Sequence, residues 1–234
     1  MIKFFRRIRY NLMEKNKTGK YLMYAIGEII LVVIGILIAV SINNWKQSID
    51  VKEVEQNLYG DLIQELRIDL DEIQNKRSYN QRYLSRFNNA SEIILTDTQM
   101  QFADTIGIIA LELANFSDFD KKESAYEVLA SSGKLDLVTN KNVLKQLQQL
   151  GILYTYINRL EKNHEQIVMM TLPKIIDYLR LKPFSVIQKE ALYNYKFHNT
   201  LQIFIHILDE KEGLYKRAEN DLNHLIISLE EELN

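Results

Sequence analysis

Tyr21-Leu22-Met23-Tyr24-Ala25-Ile26-Gly27-Glu28-Ile29-Ile30-Leu31-Val32-Val33-Ile34-Gly35-Ile36-Leu37-Ile38-Ala39-Val40-Ser41-Ile42 is the stretch on which the fold turns. It carries a single charge, Glu28. As a helix it reaches roughly 33 Å, enough to cross a hydrocarbon layer of about 30 Å. It therefore reads as one transmembrane helix. At 100° per residue Tyr24, Glu28, Gly35 and Ala39 fall on one stripe, with Ile26, Ile30, Val33, Leu37 and Val40 broadly opposite. Lipid suits the aliphatic side. Gly35 and Ala39 make a small-xxx-small step that a second helix can approach, and Glu28 beside them is the costly residue of the span. Tyr24, Glu28, Gly35 and Ala39 are thus the candidate packing residues, toward another copy or another protein.

Residues 1–20 precede the span as a basic leader. Seven cations, among them Arg6, Arg7 and Arg9, face the one carboxylate Glu14; this net +6 leaves −8 on the rest of a chain that totals −2. Ile2, Phe5, Ile8 and Leu12 recur at helical spacing between the arginines, the pattern of an amphipathic segment on an anionic membrane face. Positive charge marks the cytoplasmic end. The expected address is the inner membrane, single-pass, N-terminus in the cytoplasm and residues 43–234 in the periplasm. Trp45 stands where an aromatic interfacial anchor belongs, and Arg6, Arg7 and Arg9 anchor the other side. The apolar run is too long, and too interrupted by Glu28, for a cleavable signal peptide.

Beyond the span the chain is poor in turn formers: eight Gly, and only Pro173 and Pro183. That scarcity favours long helices. Residues 43–95 hold a helical stripe through Leu58, Leu62, Leu66, Ile73 and Phe87. A short helix is expected around Thr105–Ala114. Asn115–Phe119 is loop-like. A helix Lys121–Ser131 is expected to open on an Asp120/Glu123 capping pair and close at Gly133, with Leu135–Val138 as a connector. A long helix then runs from Lys141 to Leu181 through Pro173, and Pro183 ends it. A turn of helix over 184–192 and a last helix to Leu233 complete the reading. The expected fold is all-α: an N-terminal transmembrane helix leading into an antiparallel helical bundle.

The run from Lys20 through Ile29, Leu31 through Ala39, and Ile42-Asn43-Asn44-Trp45 resembles a family of uncharacterised single-pass membrane proteins of Bacteroidota, a domain of unknown function. Ala125-Tyr126-Glu127-Val128-Leu129-Ala130-Ser131-Ser132-Gly133-Lys134-Leu135-Asp136-Leu137 is similar to that family's mid-domain segment. The resemblance implies residence in a Gram-negative envelope and an extracytoplasmic helical domain. It supplies no catalytic residue.

Motifs of chemistry are scarce. Cysteine is absent, so thiolate nucleophiles, disulfides and zinc knuckles are excluded. There is no glycine-rich phosphate loop, no Gly-x-Ser-x-Gly and no His-Glu-x-x-His. Glu161-x-x-His164 has the spacing of a di-iron bundle, and Asp221-x-x-His224 imitates a second copy. His164 falls on its helix's apolar face with Glu161 at the edge, but Asp221 and His224 point away from theirs. His164 then reads as a hydrogen-bonded core or boundary histidine, and His198 and His206 as surface residues. Tyr154, Tyr156, Tyr178, Tyr193, Tyr195 and Tyr215 read mainly as core aromatics whose hydroxyls reach water. The functional expectation is a non-enzymatic, membrane-anchored envelope protein whose exported bundle binds or scaffolds other protein. It calls for no cofactor or metal, and for neither nucleic acid nor a small-molecule ligand. The alternative is an extracytoplasmic ligand-sensing module that signals through a partner.

Overall fold

A computed structural model describes residues 18–119, 121 and 123–233. Of Thr18, Lys20, Tyr21 and Tyr24 it describes only the helical backbone. Helix α1, Thr18–Thr96, is followed by α2 (Ala103–Glu112), α3 (Ala125–Ser131), a 3-10 turn (Leu135–Leu137) and α4 (Lys141–Ile176). A hairpin of β1 (Leu179–Leu181) and β2 (Phe184–Val186), a short α5 (Lys189–Leu192) and α6 (Tyr195–Leu233) close the chain. The protein is mostly helical, with its long helices packed antiparallel. By contacts it divides into two units, Met1–Val54 and Glu55–Asn234.

In the first unit α1 runs without a break past the apolar stretch. Its side chains are exposed: Ile29, Leu31, Ile36 and Leu37 have no core to enter. In the second unit α1 continues through Gly60 as unbroken helix to Thr96. Its apolar stripe there packs against α4 and α6 in two separate clusters. One gathers Tyr59, Leu66, Ile73, Leu147, Leu153, Leu222 and Leu229. The other gathers Phe87, Ala90, Ile106, Val168, Leu201 and Phe204.

Three local readings need correcting. Helix α3 opens at Ser124, not at Asp120, which lies outside the described residues. Ser124 Oγ accepts from Glu127 N–H, and the Glu127 carboxylate takes the Ser124 N–H at 2.8 Å, a full capping box. The same carboxyl-at-third-position pattern occurs twice, four residues apart, and the second copy directly precedes the buried pair Ala125 and Leu129. The long helix α4 stops at Ile176 rather than Leu181. Its continuation is β1, paired antiparallel with β2 so that Leu179 opposes Val186 and Leu181 opposes Phe184. The fold is therefore not purely α. The C-terminus of α3 matches expectation. Gly133 sits at φ +70°, Lys134 N–H reaches Leu129 O at 2.9 Å, and Gly133 N–H reaches Ala130 O. These are the paired bonds of a Schellman cap.

The hairpin is seated on α2 through Gly107. A β-carbon there would lie 2.6 Å from Val186 Cγ2, 3.1 Å from Leu179 Cδ2 and 3.2 Å from Phe184 Cζ. Gly107→Leu gains helix propensity of about 1 kcal/mol but overpacks the contact. A net loss of about 2 kcal/mol is expected, read as a lowered denaturant midpoint at unchanged slope.

Candidate functional site

The predicted packing stripe lies in the first unit. Glu28 is partly exposed and Gly35 and Ala39 are exposed; a β-carbon added at Gly35 would meet nothing within 4 Å. Among the described residues, neither buried apolar cluster includes a residue of this stripe. Trp45 is also exposed, and Ser48 Oγ donates to its carbonyl at 2.7 Å. The side chain of Tyr24, and Arg6, Arg7 and Arg9 altogether, lie outside the described residues.

The second unit holds a constellation that the sequence only half announced. Between its two apolar clusters lies a buried polar layer to which each long helix contributes: Asn80 from α1, Glu161 and His164 from α4, Lys211 from α6. A strap, residues 115–119 and 121, follows α2 and runs into this layer. Ser117 and Phe119 on it are buried.

Each of the three long helices grips the strap with polar groups. Lys211 Nζ donates to Ser117 O and to Ser117 Oγ, each at 2.9 Å. Ser117 Oγ lies 2.7 Å from the Tyr215 hydroxyl, which donates to Glu161 Oε1. Glu161 Oε2 accepts the Phe119 N–H at 2.8 Å. Since Lys211 is donor only and Tyr215 gives its proton to Glu161, the Ser117 hydroxyl proton points to Tyr215. One directed chain thus connects a buried ammonium to a buried carboxylate. Lower on the strap, Lys121 Nζ meets Asp69 at 2.7 Å and Glu65 at 3.1 Å. Tyr154 donates to the same Asp69 at 2.9 Å, and Asn158 Nδ2 holds Lys121 O at 2.8 Å.

Burial governs the electrostatics. It pushes the Glu161 carboxyl above the ordinary range, against the pull of the Tyr215 and Phe119 bonds and the Lys211 charge. It lowers Lys211 to about 8, with Glu161 and Asp118 opposing. It lowers His164 to about 3, and the nearby Lys211 charge adds to the fall. The Tyr154 and Tyr215 phenols are pushed up by burial first and by their carboxylate neighbours second.

Several expectations change here. Glu161 is not at the edge of the apolar face but buried, at 3% exposure. His164 is core, yet not hydrogen-bonded: neither ring nitrogen has a partner, and the ring lies between Phe116 (centroids 5.8 Å apart) and Phe204 (5.5 Å). Tyr154 and Tyr215 spend their hydroxyls on buried carboxylates rather than on water. His198 is drawn in as well, with Nε2 3.0 Å from Ser91 Oγ. His206 and His224 are exposed, as read. Among the described residues no group of three His, Cys, Asp or Glu gathers as a metal site. A cleft of about 310 Å³ opens beside Glu161, lined also by Phe116, Asp118, Asn158 and Glu165.

The profile of a family described only as a family of unknown function, DUF6090, matches residues 28–168. No curated protein and no solved structure matches the chain.

Proposed function

We propose that this chain, which belongs to the DUF6090 family of unknown function, is a single-pass membrane-anchored protein that works by binding protein rather than by catalysis. The observation that carries the anchor is the apolar stretch of α1: long enough to span a bilayer, and with none of its described side chains buried in the protein. Unsheltered in water, such a surface is an interaction site by default, and a bilayer fits its length and composition. The +6 leader supports an inward N-terminus and a periplasmic body. Binding is favoured over catalysis because Glu161, Lys211 and Tyr215 are committed to one another and to the strap. Fractionation with an intact N-terminus, and a reporter fused after Asn234, test the reading. The expected result is an uncleaved chain that resists carbonate extraction and a reporter active only in the periplasm. A soluble product trimmed near Ser41 would show the stretch to be a signal sequence instead.

The sensing alternative draws support from the cleft beside Glu161, where Asp118 and Glu165 offer acceptors, Lys162 a cationic donor and Phe116 a ring face to a small polar ligand that carries an amine.

A further inference from the structure

The three long helices of the second unit leave three grooves between them, and the described residues bridge two of them. Ion pairs from Arg77 to Glu212 and Glu219, both at 2.7 Å, and from Arg67 to Glu230 stitch α1 to α6. The strap bridges α1 and α4 through Lys121 and Asn158. Among the described residues, no segment is laid into the groove between α4 and α6. Two clefts mark its course, about 450 Å³ between Tyr156 and Leu214 and about 390 Å³ between Lys145 and Glu232.

Helix α4 carries a second stripe on this side, apolar except for one amide: Ile152, Tyr156, Leu160, the polar Asn163, Ile167 and Met170, of which Tyr156, Leu160 and Asn163 line the larger cleft. Its steps of four, four, three, four and three are those of a seam that takes another helix by knobs-into-holes packing. Ile152 and Met170 are 52% and 65% exposed, so the stripe is distinct from the core-facing one. Ile203, Ile207 and Leu214 answer it from α6.

We propose that this groove is a homodimer interface, occupied by the same groove of a second copy about a two-fold axis parallel to the helices. Helices α4 and α6 of both copies then form a four-helix layer in which each α4 lies antiparallel to the partner's α6. Charge selects this occupant. The α4 rim carries Lys145 and Arg159, while the α6 rim carries Glu210 and Glu232. The two-fold operation sets the basic rim against the acidic one, Arg159 toward Glu210 of the partner subunit. Size agrees. From Lys145 to Met170 the groove is roughly 38 Å long and about two helix diameters wide, so on the order of 750 Å² per copy is covered. Stable interfaces bury about 800 Å² per partner. The proposal deepens the reading of the body as a binding module, and rests on it, but uses none of the membrane argument.

The test is sedimentation equilibrium of the full chain in density-matched detergent. The wild type is expected to be a dimer. Met170→Glu with Ile203→Glu weakens it at least about tenfold with helicity unchanged. Ile227→Glu, equally exposed but on another face, does nothing. Arg159→Glu and Glu210→Arg each shift the protein toward monomer, and combining them restores the dimer. A wild type that is monomeric up to about 100 μM overturns the proposal, leaving the groove to a different protein. So does a dimer indifferent to Met170→Glu/Ile203→Glu but dissolved by Gly35→Ile with Ala39→Ile, which would place self-association in the span.

Discussion

Acidification from pH 6.5 to pH 4 is expected to cost the helical body roughly 3 kcal/mol, and His164→Leu to remove most of that loss. The folded protein holds the imidazole neutral down to about pH 3, whereas the unfolded chain protonates it near 6.5. Between those values the unfolded state binds more protons, so stability falls as pH falls. Above 6.5 both states are neutral at this residue and the term vanishes. Glu161 works the other way. Its carboxyl is raised in the fold, so its protonation favours the folded state as pH drops toward the ordinary carboxylate range. The histidine window begins higher and spans more than three pH units, so it dominates the acid limb. Leu is close to His in volume and asks for no hydrogen bond. At pH 7 the variant should therefore be at least as stable as the wild type, because an unpartnered buried ring is removed. Denaturant midpoints followed by far-ultraviolet dichroism at pH 7, 5.5 and 4 decide the matter. Equal pH slopes for the two proteins would mean that His164 is not the sensitive group.

The second large effect belongs to the chain from Lys211 to Glu161. Lys211→Met is expected to cost about 3–5 kcal/mol, since it strips the ammonium from a buried carboxylate and leaves Ser117 O and Oγ without their donor. Glu161→Leu should cost a similar amount, because the Tyr215 hydroxyl and the Phe119 N–H lose their acceptor. The double variant should be far better than the sum, with a coupling energy of about 1–3 kcal/mol, as expected for two charges in one network. Tyr215→Phe, which breaks the connection and keeps both charges, should fall between, at about 1.5–3 kcal/mol. Additive losses would show that the two ends are independent and that the hydroxyls merely fill space.

Periodicity made the long helices legible. Leu58, Leu62, Leu66, Ile73 and Phe87 on α1, and Leu201, Phe204, Leu208, Tyr215 and Leu222 on α6, announce their buried faces by spacing alone. The polar layer was legible in part by the same rule applied to the wrong residue type. Lys211 falls on the inner stripe between Leu208 and Tyr215, and Asp69 falls between Leu66 and Ile73. A charge on an apolar stripe must find a counter-charge. What spacing cannot supply is the partner. Ser117 and Phe119 lie in a stretch with loop composition, and nothing local says that three helices close around it. The hairpin escaped for a different reason. Leu179-Arg180-Leu181 and Phe184-Ser185-Val186 each alternate for only three residues, too short to outweigh a helical pattern running into them.

The strap also sets an order of events. Ser117 waits for Lys211 and Tyr215, which lie 94 and 98 residues further along the chain. A ribosome adding about 5–20 residues per second delivers them several seconds later. Throughout that interval the Ser117 hydroxyl and carbonyl are served by water, and the nascent body cannot bury them without leaving them unsatisfied. A prematurely terminated product that lacks α6 never closes this gap, so fragments ending before Lys211 should be cleared by proteases while full-length chains survive.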